Sequence, residues 1–351
     1  MPSRVARPTS AKSGRPSKAR SILRSDGQIL IAEDLRKSYG PRPALRGLSF
    51  SLQAGRILGF LGPNGAGKTT AIRILTTILE PDAGHFVVDG IGSEHPEKIR
   101  RKIGVLPESL GFPRQMTGIE YLTYFGQLYG RPAADARASG LALLEEVGLQ
   151  QRAKSLISTY SHGMRQRIGI ARALINDPVV VFLDEPTLGL DPRGQQELLS
   201  LVRRIARARS AGVILCSHML SEIEVVCDDV VILSAGQVVA SGAVTKVIGQ
   251  AQQTLPQQSA VRIQLPSPLL AKARQLLKQI PEVRNTAPTV GKPDWLRVEL
   301  ADSAHGASSK QHINNRILQA LIRAKIPILG FEAEGGRLQD VFMSLTEEAI
   351  E

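Results

Sequence analysis

Long apolar runs are missing from this 351-residue sequence. The longest, such as Val179-Val180-Val181-Phe182-Leu183, fall far short of the ~18 apolar residues a membrane-spanning helix needs. The chain is therefore not expected to cross a bilayer. Cysteine is nearly absent as well. Cys216 and Cys227 have neither C-x-x-C spacing nor a secretory context, and they read as buried, reduced thiols of a cytosolic protein. No internal repeat or coiled-coil heptad run is evident. What is left is an ordinary globular composition in a chain long enough for two domains.

Acidic residues are scarce, and unevenly so. The net charge is +12, yet residues 1–27 set Arg4, Arg7, Lys12, Arg15, Lys18, Arg20 and Arg24 against Asp26 alone, which is half of the excess. A tail rich in Ser, Pro and Arg has almost nothing to bury and is expected to be disordered. A solvated tail is the plain reading. The alternatives are attachment to an anionic lipid surface or acidic partner and a targeting signal. With half of the charge on a tail, the basic balance argues only weakly for a nucleic-acid partner.

Gly62-Pro63-Asn64-Gly65-Ala66-Gly67-Lys68-Thr69 fits G-x-x-x-x-G-K-[ST] at each fixed position. An apolar run, Ile57–Leu61, precedes it and a helical pattern, Thr70–Leu75, follows, the strand–loop–helix context that the motif requires. Glycines let successive N–H groups turn inward around phosphate oxygens. The helix then starts at the anion with its positive end. Lys68 is expected to reach the β- and γ-phosphates and Thr69 to ligate Mg²⁺, which makes this a nucleotide-binding P-loop.

Short strands are expected at Ile29–Leu35, Leu45–Leu52, Arg56–Leu61 and His85–Asp89, an antiparallel sheet beside the P-loop strand, with Tyr39 in an exposed loop. Helical spacing runs from about Met116 to Leu174. Val179–Leu183 and Gly212–Ser217 are apolar throughout and read as parallel strands covered on both faces. The helix Gln195–Arg209 lies between them, and a hairpin of Val230–Leu233 with Gln237–Ala240 is closed by a helix near Val244–Gly249. A Gln-rich stretch, Gln250–Gln258, then reads as a linker. Beyond it Val261–Leu265, Leu269–Gln279, Val283–Thr286, Trp295–Leu300, Ile313–Ala324 and Ile326–Phe331 give the order β-α-β-β-α-β, which predicts a ferredoxin-like unit. A last helix, Arg337–Glu348, is expected to pack Leu338, Val341, Phe342 and Leu345 against that unit.

Asp184 ends the apolar strand where a Walker-B carboxylate belongs, and Glu185 beside it is placed to deprotonate an attacking water. With these in place the sequence resembles the ATP-binding cassette family over roughly residues 28–250. Tyr39 matches the aromatic that stacks on adenine. Tyr160-Ser161-His162-Gly163-Met164 resembles the family signature, Gly189-Leu190-Asp191-Pro192 the loop that crosses the dimer interface, and His218 the switch histidine that senses the γ-phosphate. Weaker similarity continues to Gly336–Phe342, which resembles the end of the accessory domain in drug-exporter and sodium-efflux ATPases.

Two departures stand out. Tyr160, His162 and Met164 replace three residues of the usual Leu-Ser-Gly-Gly-Gln, while Ser161 and Gly163 remain. Glu108 stands where most of the family has glutamine. Both are read as marks of the exporter branch.

The resemblance implies an α/β P-loop NTPase core over 28–249 with an antiparallel β subdomain and a helical subdomain (about 108–174). A linker (250–260) and a small C-terminal ferredoxin-like α+β domain (261–351) follow the core, and the tail (1–27) precedes it. It implies an ATPase with Glu185 and His218 catalytic, and with Tyr39, Gly62 through Thr69, Thr70, Glu108, Ser161, Gly163 and Asp191 on the nucleotide. Thr69, Glu108 and Asp184 would hold Mg²⁺. The implied partners are separate transmembrane permease subunits and a second copy of the chain, at the cytoplasmic face of the membrane. The rival is a soluble cassette acting on ribosome or nucleic acid, which the lack of a second cassette, coiled coil or zinc module disfavours. A regulatory module that binds ATP without turnover is disfavoured by Glu185.

Overall fold

The computed structural model describes residues 27–109, 111–113, 115–217, 219–254, 260–289, 292–300, 307–333, 338 and 342. The chain opens with a hairpin, β1 (Gln28–Tyr39) and β2 (Arg42–Gln53), followed by β3 (Ile57–Leu61) and α1 (Lys68–Leu75). Next come β4 (Ala83–Val88), β5 (Ile91–Gly92), α2 (Pro96–Arg100) and β6 (Ile103–Leu106). Helices α3 (Gly118–Leu128), α4 (Ala133–Glu146) and α5 (His162–Leu174) lead to β7 (Val180–Asp184), α6 (Pro192–Arg209), β8 (Gly212–Cys216) and α7 (Leu220–Val226). A hairpin, β9 (Asp229–Ser234) and β10 (Gln237–Ala243), precedes α8 (Val244–Thr254). The C-terminal part is β11 (Ala260–Gln264), α9 (Leu270–Leu277), β12 (Val283–Thr289), β13 (Lys292–Leu300), α10 (Ala307–Arg323) and β14 (Gly330–Ala333).

The described strands form three sheets. The central one runs β10-β9-β3-β8-β7-β6, parallel except for β10. Its inner strands β3, β7 and β8 are almost wholly apolar because each face meets a different core. Leu58, Phe60, Phe182 and Ile214 face the antiparallel sheet β2-β1-β4-β5 and helix α1. Ile57, Leu61, Val181, Leu183, Val213 and Leu215 face the helical side, where α5 and α6 pack. Period-two alternation thus divides one sheet between two apolar layers. Contact is tight enough to exclude side chains locally: a Cβ on Gly59 would sit 2.6 Å from Ile223 Cγ2 of α7. Cys216 and Cys227 are free and buried, as expected.

The third sheet runs β12-β13-β11-β14, all antiparallel, the strand order of the expected split β-α-β-β-α-β unit. Val261, Ile263, Leu296 and Val298 cover one face and pack on Ala273 and Leu277 of α9 and Ile317 and Leu321 of α10.

Several expectations need correction. The stretch read as a linker is helical through Thr254, because the glutamines there favour helix and the first breaker is Pro256; residues 255–259 lie outside the described residues. Tyr39 ends β1 instead of sitting in a loop. The strand expected from Ile326 starts only at Gly330. Ile326 is buried beneath α10, and Pro327 has no N–H for a ladder. Leu338 and Phe342 pack on the helical-side core of the cassette, not on the C-terminal unit, whose apolar sheet face α9 and α10 already cover. Val341, Leu345 and the basic tail before Gly27 fall outside the described residues.

Where β6 meets the end of α5, a Cβ on Gly104 would lie 2.0 Å from the Ala173 carbonyl oxygen. Gly104→Ala should therefore destabilise the protein by ~3 kcal/mol, read from the urea midpoint. An unchanged midpoint would show that α5 is free to shift.

Candidate nucleotide site

The loop after β3 lies hard against its neighbours. A Cβ on Gly62 would come 2.5 Å from the Leu233 carbonyl oxygen, and one on Gly67, at φ +104°, 2.5 Å from that of Ala44. Gly65, at φ +82°, meets nothing within 4 Å and faces open space. The loop is also tethered, the Gly236 N–H donating to the Ala66 carbonyl at 3.2 Å. Among the described residues no side chain caps α1, whose first turn follows Gly67 directly, so its N-terminal amides stay available to an anion. Lys68 arcs back over the loop and donates to the carbonyls of Gly62 (2.6 Å) and Pro63 (3.1 Å).

A cleft of about 490 Å³ opens here, lined by Ala44, Asn64, Gly65, Ala66, Gly67, Lys68, Thr69, Thr70, Glu108, Asp184, Glu185 and Leu188. Four separate chain stretches meet in it. Asp184 ends β7, where burial raises its carboxyl above the usual range; Glu108 and Glu185 push it further, and Lys68 and Arg73 oppose them. Glu185 sits at φ +49°, a left-handed turn costing roughly 1–2 kcal/mol outside glycine, with its N–H donating to the Cys216 carbonyl at 3.0 Å. Such strain is what swings the chain off the strand end at a working site. Beside Asp184, burial pushes the Cys216 thiol well up, so it stays inert.

Thr69, Glu108 and Asp184 form an all-oxygen set that suits a hard cation. A divalent ion here would favour the charged form of Asp184, which burial and its acidic neighbours oppose. Among the described residues no three acidic, His or Cys side chains converge closely enough to cage a metal alone. Mg²⁺ asks for only one or two protein carboxylates, with phosphate and water completing its shell.

The signature lies elsewhere. A second cavity of about 690 Å³ is lined by Glu108, Ser109, Phe112, Ile157, Ser158, His162, Arg165, Gln166 and Leu188, and shares only Glu108 and Leu188 with the first. Ser161 caps α5, its Oγ accepting from the Met164 N–H at 3.3 Å. A Cβ on Gly163 would meet nothing nearer than Leu190 Cδ2 at 3.5 Å, so packing within this chain does not demand glycine. Tyr160 is buried, and its hydroxyl donates to the Arg152 carbonyl at 2.7 Å. Neither Ser161 nor Gly163 lines the P-loop cleft. Asp191 caps α6, accepting from the Gly194 N–H at 3.3 Å, and lies outside the cleft. Tyr39 is exposed at the tip of the β1–β2 hairpin, opposite Arg42. His218 falls outside the described residues.

Sequence reading missed Ala44 and Leu188 as cleft walls, and Arg73 as a charge acting on Asp184. It also missed a buried trio, Thr187, Ser217 and Glu222. Thr187, three residues after Asp184, and Ser217, directly before His218, stood beside recognised motifs; Glu222 did not.

Because Asp184 is raised in the folded state, its charged form costs stability above that raised pKa, and the cost vanishes below the ordinary carboxylate value. Asp184→Asn should thus raise the melting temperature of the nucleotide-free protein at pH 7.5, by an amount that shrinks as pH falls toward 4. Equal melting temperatures at pH 7.5 would contradict the electrostatics described.

Residues 45–188 match the family model described as ABC transporter. The chain is 33% identical over 312 residues to the doxorubicin resistance ATP-binding protein DrrA of Mycobacterium tuberculosis, covering 83% of this chain and 94% of that protein. It is 38% identical over 219 residues to the linearmycin resistance ATP-binding protein LnrL of Bacillus subtilis, covering 62% and 70%. A solved ATP-binding subunit of an ABC transporter superposes with TM-score 0.57 at 32% identity, over 63% of this chain and 92% of that one. The cbiO1 structure from Clostridium perfringens gives 0.59 at 26% identity, over 66% and 97%. On a relative matched nearly end to end and on cassette folds matched over the same core, the chain belongs to the ATP-binding cassette transporter family, as an ATP-binding subunit.

Proposed function

We propose that this ATPase subunit drives a membrane exporter, working as a head-to-tail homodimer whose two ATP sites each take a P-loop from one copy and a signature from the other. The observation that carries the reading is that Ser161 and Gly163 lie outside the P-loop cleft of their own chain. A glycine at 163 that its own chain does not require supports the approach of an outside group.

In this reading the α1 amides and Lys68 bind the β- and γ-phosphates, Lys68 exchanging its loop carbonyls for phosphate oxygens. Thr69, Asp184 and Glu108 hold Mg²⁺, which when bound neutralises charge on those phosphates. Glu185 orients a water and accepts its proton as the water oxygen bonds to the γ-phosphorus and the bond to the bridging oxygen breaks, releasing ADP and phosphate. General-base help of this kind contributes on the order of 10²–10⁴-fold. From the second copy, the Ser161 hydroxyl and the Gly163 amide donate to the γ-phosphate, with Asp191 on the loop between copies. Tyr39 stacks on adenine and His218 senses the γ-phosphate.

Export rests on the relatives: DrrA and LnrL are named resistance ATP-binding proteins, and the DrrA match extends well beyond the cassette. No helix of the described residues is long and apolar enough to cross a membrane, which supports separate permease subunits and a peripheral place at the cytoplasmic face. Exposed Ile78 and Tyr129 line a groove with Arg100, Phe125 and Arg172, and exposed Tyr124 packs edge-on against Phe125, a surface suited to such a subunit. The comparisons lend nothing to a ribosome or nucleic-acid role.

Glu185→Gln should keep ATP binding, lose on the order of 10²-fold or more of hydrolysis, and accumulate an ATP-bound dimer on gel filtration. Lys68→Ala should weaken binding itself. Near-normal turnover in the Glu185 variant would remove the general base.

A further inference from the structure

Glu222 of α7 is only 4% exposed. Its Oε2 accepts from the hydroxyls of Thr187 (2.9 Å) and Ser217 (2.7 Å), both buried, and the Ser217 oxygen accepts from the Met219 N–H at 3.0 Å. Among the described residues its Oε1 is buried with no hydrogen-bond partner. A buried carboxyl with one idle oxygen is costly, and an apolar side chain of similar size would commonly be cheaper. What the carboxyl achieves is a junction. It ties the loop two residues past Glu185 to the end of β8, next to residue 218.

The same loop is held from its other side. His162 Nε2 lies 2.7 Å from the Leu188 carbonyl, and since a carbonyl only accepts, Nε2 carries the hydrogen. The ring also covers Gly189, where a Cβ would stand 3.3 Å from Nε2. His162 replaces a signature glycine, and it opens α5 between Ser161 and Gly163.

We propose that Thr187–Gly189 is a crossbar, pinned by Glu222 and His162, that sets the position of a chain's catalytic turn at Glu185 relative to its own signature. This rests on the reading above, in which those two parts serve different ATP molecules of the pair. Seating of nucleotide at one site then dictates seating at the other. Glu222, Thr187 and His162 act as positioning residues and touch no substrate.

The test uses the full chain, with steady-state ATPase and binding of a fluorescent ATP analogue. Thr187→Val keeps the shape and removes the hydroxyl; it should lower kcat about tenfold or more while nucleotide Kd stays within about twofold. Thr187→Ser should restore kcat to within about threefold of wild type. His162→Ala, at an exposed position where folding is not at risk, should lower the Hill coefficient for ATP toward 1 with Kd unchanged. The crossbar is overturned if Thr187→Val and His162→Ala both keep wild-type kcat and Hill coefficient, or if Kd weakens in step with kcat. A Glu185→Gln protein that stays monomeric on gel filtration with ATP bound would instead overturn the dimer reading, and the proposal with it.

Discussion

Everything in this fold hangs on a stretch of backbone that must lie against two other stretches without side chains between them. A Cβ on Gly62 or Gly67 would stand 2.5 Å from the Leu233 or Ala44 carbonyl oxygen, respectively, and the Gly236 N–H fastens the loop at Ala66. The clamps come from β2, β9 and the β9–β10 turn, elements of two different sheets. Those sheets are held together by the apolar layer between them, with Phe60 and Phe182 at its centre. The buried strand β3, flanked by β8 and β9, decides where the loop begins. Hydrophobic burial therefore places a polar cradle, and the cradle needs no side chain except Lys68.

Charge completes the cleft. Burial raises the carboxyl of Asp184 at the end of β7, Glu108 and Glu185 raise it further, and Lys68 and Arg73 offset them only in part. Such a site favours a divalent ion that arrives with its phosphates. Lys68 meanwhile donates to loop carbonyls, so its ammonium is held over the loop.

The convergence of the P-loop, Asp184 and Glu185 on one cleft was legible in the sequence, because each motif needs particular residues at particular spacings. β3, β7 and β8 were legible because strands covered on both faces are apolar throughout, and the C-terminal unit because its alternation and turns follow a short-range rule. Misreadings arose where tertiary context decided. Gln250–Thr254 has linker composition, yet α8 simply continues through it. Leu338 has a core pattern that does not say which core. Glu222 drew no notice, since nothing local marks a carboxyl that meets Thr187 and Ser217 only after folding. That Ser161 and Gly163 stand apart from their own P-loop is likewise a matter of three-dimensional placement.

The central claim, that each ATP site is completed by a second copy, is tested most directly by complementation. Lys68→Ala spoils every P-loop of its own dimer, and Gly163→Arg spoils every signature of its own. A mixed dimer retains one site with both parts intact. Mixing the two inactive proteins should restore ATPase activity, up to roughly a quarter of the wild-type rate for random pairing of independent sites. Activity no greater than the average of the two variants measured apart, or a Gly163→Arg protein as active as wild type, would contradict it.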